Sequence, residues 1–327
     1  MLRSMSSAIS GLKNHQIYMD VVGQNIANVN TVGYKSSRVN FKEALAQTYK
    51  VGSAPVIGGV GGTNPSQVGL GVNLGGIDTI MTQGPMTSTG KTTDLAIQGE
   101  GMFMLGTSFT GTAGAADQNW TPAYFTRDGA FAKDEQGYLV DPVSGEYVLG
   151  AKLGTFTTQA QVAALASGAG PYTDTAGNAV DVNGFRLDAS GNLMLDRIKI
   201  DPSWGWANFS ISSTGAVTGV KSDGTTDVDP MRRPQVALGT FNNPEGLVRA
   251  GGNLYREGLN SGTATRSVPG DTTTGAGSLM SGTLEASNVD LAEQFSRMIM
   301  AERGFQANSR IITASDEMLQ DLVNMKR

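Results

Sequence analysis

Cysteine is absent from the chain, and histidine occurs once, as His15. Those two facts exclude a thiol nucleophile, a Cys/His zinc site and a disulfide framework. A Ser-His-Asp triad would have to be built on His15. That residue lies in an amphipathic N-terminal segment and is expected to be a solvated surface side chain. Aromatic residues are sparse at 7%, and no run approaches 18 uninterrupted apolar residues, so no membrane-spanning helix is expected. The first sixteen residues lack a continuous apolar stretch and do not read as a cleaved secretory leader. Lys and Arg are scattered singly, and the formal net charge is −5, so there is no basic surface of the kind that binds nucleic acid. No metal or cofactor is expected.

Several near-motifs also fail. Gly84 and Gly90-Lys91-Thr92 resemble a phosphate-binding loop, but five residues separate the glycines where four are needed. The stretch after them continues as strand rather than helix. Gly69-Leu70-Gly71 has no helix behind it. The acidic residues in 223–229 lack the spacing of a calcium loop. No pair of carboxylates suggests a hydrolase pocket, and the chain is not expected to be an enzyme.

What is abundant is glycine, 44 of 327 residues, together with Thr, Ser, Asn and Val through the middle of the chain. Short alternating runs bounded by Asp128-Gly129, Gln136-Gly137 and Ser144-Gly145 predict a β-meander, and Ser190-Gly191 and Thr214-Gly215 mark further hairpins. Strands are expected at residues 77–81, 94–97 and 102–105. Residues 157–170 fit either a short helix or a loop. Residues 51–76 are Gly-rich with little bulk and read as a long surface loop or as an adaptable contact strip.

The two ends differ from the middle. Met5, Leu12, Met19 and Ile26 recur every seven residues, with Leu2 and Ile9 interleaved. Leu291, Met298, Phe305, Ile312 and Leu319 repeat the device over about 40 residues. Ser287 or Asn288 is the expected N-cap of the second helix. Two arrangements fit: ordinary amphipathic helices of one domain, or a coiled-coil pair made by the chain ends. Heptads at both ends, and nowhere between, favour the pair. Gln16, Gly23, Asn308 and Ser315 occupy apolar positions, so the pair is expected to be marginal alone and to gain order from neighbouring subunits.

Long stretches resemble the flagellar rod and hook protein family. They are SGLKNHQIYMDVVGQNIANVNTVGYKSSRVNF (10–41), DLAIQGEGMF (94–103), FTRDGAF (125–131), GNLYREGLNSGTA (252–264) and LEASNVDLAEQFSRMIMAERGFQANSRIITASDEMLQDLVNMKR (284–327). Within that family, Gly304 to Arg310 and the closing LVNMKR look like hook subunits, whereas the length is nearer to rod subunits. The hook is the expectation, and the distal rod its alternative.

The resemblance implies an α+β multidomain chain. Paired terminal coiled-coil helices (1–30 with 285–327) line the inside of a tube. An extended Gly-rich segment (31–76) lies against neighbours. A split β-rich domain (77–145 with 230–284) forms the middle, and an inserted β-rich domain (146–229) faces outward. It also implies a homo-oligomeric helical tube outside the cell. The tube would be met by distal-rod, hook-cap and hook–filament junction proteins, and its subunits exported by the flagellar type III apparatus without a cleaved leader. The residues expected to pack between helices and subunits are Met5, Ile9, Leu12, Met19, Ile26, Leu291, Met298, Phe305, Ile312 and Leu319.

Overall fold

The computed structural model describes residues 2–55, 61–110, 119–152, 172–173, 179–180, 185–188, 191–201, 204–221, 225–227 and 234–325. The segment 157–170 and the acidic run 223–229 fall wholly or mostly outside them. The chain forms two compact units, one of residues 1–29, 35–80 and 289–327, the other of residues 30–34 and 81–288.

The first unit holds two long helices, α1 (Leu2–Ala27) and α2 (Leu291–Met325), with four strands between them in sequence. Helix α1 stops where Asn28 folds its side chain back onto the Gln24 carbonyl at 2.8 Å. Helix α2 has 35 residues. Its cap is Asp290, not Ser287 or Asn288: Asp290 Oδ1 accepts from the amides of Ala292 (2.9 Å) and Glu293 (3.3 Å). Those are the second and third helical N–H groups, which a capping carboxylate satisfies. Asn288 is engaged elsewhere, donating to Thr82.

The Gly-rich connection is more ordered than its composition suggests. Strand β1 (Ser37–Glu43) pairs antiparallel with β4 (Val72–Thr79), and β2 (Ala46–Lys50) pairs with β3 (Ser66–Gly69). Helix α1 holds this ribbon by its polar residues. Asn14 donates to the Val72 carbonyl at 2.7 Å, and Asn25 both donates to and accepts from the backbone of Ser37.

The second unit is β-rich with a continuous core. Strand Met102–Gly106 lies centrally, paired with Tyr124–Thr126, Tyr147–Ala151 and Leu238–Thr240. Its alternation fills both sides. Phe103 and Leu105 join Leu95, Ile97, Phe131 and Leu139 in one cluster, while Met102 and Met104 join Trp120, Phe125 and Tyr255 in another. Val148, Ile198, Ile200, Ile211 and Val217, all within the expected outer insertion, share the first cluster with Val236, Leu238 and Leu279. Within the described residues, the apolar side chains of 146–221 therefore bury against the rest of this unit. The expected hairpin at 209–220 is present, Trp206–Ile211 pairing with Val217–Lys221 around Gly215 at φ +80°.

Residues 30–34 dock into this second unit through a buried anchor. Gly33 has φ +66°, and a methyl group there would come within 2.7 Å of the Arg127 backbone. The turn therefore needs glycine for conformation and for space. Its amide donates to the Glu285 carbonyl at 2.8 Å, and Asn253 Nδ2 donates to the Val32 carbonyl at 2.8 Å. Beneath it, Arg127 donates to Glu285 Oε2 (3.1 Å) and to the carbonyls of Ile97 and Gly99, and Glu285 Oε1 accepts from the Gly84 amide. Burial holds the Arg127 guanidinium below its usual pKa, an effect that Glu285 opposes.

Candidate assembly surface

Helices α1 and α2 pack side by side and antiparallel. Gly11 lies opposite Asn308, His15 opposite Gly304, and Asn25 Nδ2 reaches Gln294 Oε1 at 3.1 Å. Four residues up α1 are four residues down α2, and ten match ten, so one register covers the contact. Leu2 then falls opposite Glu317, and α2 runs on past the start of α1.

The seam is made of small and polar side chains. Ala8, Val22 and Asn25 on α1 and Gln294, Ala301 and Ser315 on α2 are buried. A methyl group on Gly304 would enter the His15 imidazole, and one on Gly11 would sit 2.7 Å from Asn308 Nδ2. Glycine and alanine let the helices approach closely. The larger residues expected there, Met5, Leu12, Met19, Ile26, Met298, Phe305, Ile312 and Leu319, are half-buried along the flanks. Ile9 and Leu291 are exposed. Within the single chain the bulky heptad residues flank the seam, and smaller side chains occupy its centre. The seam lines, 8-15-22 with 11-18-25 and 294-301-308-315, buried or half-buried, have the same period and lie beside the bulky residues. Weighting small residues as seam-formers is the signal that would have found them.

His15 is not the solvated side chain the sequence suggested. It is half-buried beside Gly304 and Phe41, its ring centroid 6.2 Å from that of Phe41, and its Nδ1 has no hydrogen-bond partner among the described residues.

Outside the seam, α2 carries a second apolar line. Met300, Ile311, Met318 and Met325 are exposed, and Ala307 and Ala314 continue them at heptad spacing. Leu322 and Val323 add to the overhang, and Phe295 and Ile299 lie exposed on the opposite flank. The ribbon exposes Phe41, Leu45, Tyr49, Val51, Val68 and Leu70. These exposed apolar side chains are candidates for contact with another protein surface. Among the described residues no group of acidic or histidine side chains is placed to hold a metal, and no helix is long and apolar enough to cross a membrane.

Comparison with known proteins identifies relatives of the chain. The profile of the flagella basal body rod proteins matches residues 5–35, and that of the flagellar basal body rod FlgEFG protein C-terminal region matches residues 280–325. The chain is 44% identical to the flagellar basal-body rod protein FlgG of Bacillus subtilis over 328 residues, covering all of both chains. The chain belongs to the flagellar rod and hook protein family. It is also 30% identical to the rod protein FlgG of Borreliella burgdorferi over 327 residues, again end to end. Against the hook protein FlgE of the same organism it is 29% identical, over a 463-residue alignment covering both chains. Members of this family are structural components of the flagellar basal body and hook, and this chain is a structural subunit rather than an enzyme.

Proposed function

We propose that the chain is a distal-rod subunit, polymerising with its own copies into a stiff helical tube that carries torque. The end-to-end match to rod proteins carries this reading. At 44% identity, 328 aligned positions accommodate a chain of 327 residues almost without gaps, while the hook alignment stretches to 463. The hook-like look of Gly304 to Arg310 weighs less, because it covers a few residues of one helix.

The ribbon supports the same choice. A hook must lengthen and shorten along its axis at every turn, which free Gly-rich strips would permit. Here the strip is paired into β1–β4 and tied to α1, so it resists extension. In this reading Met5, Leu12, Met19, Ile26, Met298, Phe305, Ile312 and Leu319 shield the intrachain pair. Ile9, Leu291 and the line through Ile311 and Met318 meet neighbouring subunits. Export as an unfolded chain through the flagellar type III apparatus fits ends whose seam is small and polar. The outer surface of the tube falls to the β unit, including 146–229.

Electron microscopy of purified protein, concentrated in sulfate to favour apolar burial, tests the reading. Straight, rigid tubes are expected. Curved, flexible tubes would return the chain to the hook, and absence of any ordered polymer, with or without a preformed rod as template, would overturn self-assembly.

A further inference from the structure

The exposed line on α2 is rich in one chemically distinctive side chain. Met300 is 60% exposed, Met318 48% and Met325 77%. Met318 and Met325 are seven residues apart on the line of Ile311, and Met300 shares that face of the helix. By contrast, Met102, Met104 and Met194 are buried in the β unit, and Met5, Met19 and Met298 are half-buried against the helix seam. Met280 is exposed, but lies on strand Ser278–Ser281 of the other unit. The chain contains no cysteine, so no thiol intercepts an oxidant before the thioethers do. Among the described residues, the most exposed thioethers on the helices therefore lie on the surface that the assembly reading gives to a neighbouring subunit.

We propose that Met300, Met318 and Met325 form an oxidation-sensitive gate on assembly, closed by a peroxide and reopened by a reductase of the methionine sulfoxide class. This rests on the assembly reading above. In the closing step a thioether sulfur attacks one oxygen of a hydroperoxide. A sulfur–oxygen bond forms and the oxygen–oxygen bond breaks. The sulfur loses two electrons, and the peroxide leaves as water or an alcohol once its oxygen takes up a proton. In the reverse step two thiol equivalents deliver two electrons and two protons. The oxygen leaves as water and a disulfide is formed. The sulfoxide is polar where the thioether was apolar. A neighbour covering it must strip water from that oxygen, a cost the thioether does not carry. The gate acts on the free subunit, since assembly itself hides these three sulfurs.

The full chain is treated with hydrogen peroxide under native conditions. The sites of oxygen addition are mapped by peptide mass, and the critical concentration for polymerisation is measured by sedimentation. Met300, Met318 and Met325 are expected to oxidise ahead of Met102, Met104 and Met194. The critical concentration should rise about tenfold or more and return after treatment with sulfoxide reductase and thiol. In the combined variant Met300→Leu, Met318→Leu, Met325→Leu, peroxide should leave the variant's own critical concentration unmoved. Oxidised wild-type chain that polymerises as the untreated chain does, with oxygen mapped to all three sulfurs, would overturn the gate and leave the assembly reading standing. Loss of polymerisation that reductase does not reverse would also overturn it. An untreated chain that never polymerises would sink the assembly reading, and the gate with it.

Discussion

In the β unit the large apolar side chains are inside: Leu95, Phe103, Leu105, Leu139 and Leu195 have no exposed surface at all. In the helical unit, small and polar side chains share the interior with Ala8, Val22 and Val39. Gln294, Ala301 and Ser315 are inside, and Met300, Ile311, Met318 and Met325 are outside. The β unit therefore encloses its large apolar side chains within itself. The helical unit leaves much of its apolar surface exposed. One chain thus combines a finished domain with an unfinished one, as a polymer subunit that must stay soluble before assembly requires.

The largest effect should come from breaking the finished half. Glu285 is fully buried, and its removal leaves the Arg127 guanidinium enclosed without its countercharge. Glu285→Ala is expected to destabilise the β unit by about 3–5 kcal/mol, read from chemical denaturation followed by tryptophan fluorescence. A loss below about 1 kcal/mol would mean that water enters and the pair is not the anchor it looks to be.

The unfinished half should respond in the opposite way. Ile311→Asp combined with Met318→Asp places charge on the exposed line. Unfolding of the monomer should move by no more than about 0.5 kcal/mol per site, while polymerisation is lost. A variant that still forms normal tubes would show that neighbours use another face.

A smaller effect separates the seam from both. Gly304→Ala drives a methyl group into the His15 ring, and overpacking of this kind costs about 1–3 kcal/mol. Helicity by circular dichroism should fall, and adding His15→Ala should restore it. Failure of the second substitution to compensate would refute the antiparallel register, because Gly304 would not then be facing His15.

Both helices, the strand at 102–105 and the hairpin around Thr214-Gly215 were legible in the sequence, since each rests on local periodicity and turn chemistry. The centre of the seam was not. Periodicity weighted by hydrophobicity selects Leu12 and Phe305, whereas close approach of two helices selects Gly11 and Gly304, a signal that only a weighting of small residues carries. The cap was misplaced by two or three residues because Ser287, Asn288 and Asp290 all have capping side chains, and only the backbone decides. The order in the Gly-rich ribbon was hidden too. Asn14 and Asn25, far off in sequence, satisfy its backbone, and long-range hydrogen bonds leave no local pattern. The Arg127–Glu285 pair spans 158 positions and was invisible for the same reason.

The β unit should also respond to pH. Burial pushes the Asp128 carboxyl up, with Asp141 and Asp94 adding to the rise against a hydrogen bond from the Ala130 amide. Burial, then Asp141, pushes Glu146 up, and its Oε2 has no partner among the described residues. Lys91, 3.4 Å from Asp94, is the cation paired within this group. A raised folded value means that the folded chain holds these protons to higher pH than the unfolded chain does. Stability of the β unit should therefore fall as pH rises through the window between the ordinary carboxylate range and the raised values, and recover on acidification through it. Asp271, held low chiefly by the Thr273 hydroxyl, titrates on the other side of the ordinary range and works in the opposite sense there. Thermal unfolding across the upper window should show a modest rise in melting temperature as pH falls. The double variant Asp128→Asn, Glu146→Gln should flatten that rise. An undiminished slope in the variant would assign the pH dependence to other groups and leave the β unit's buried carboxylates electrostatically silent.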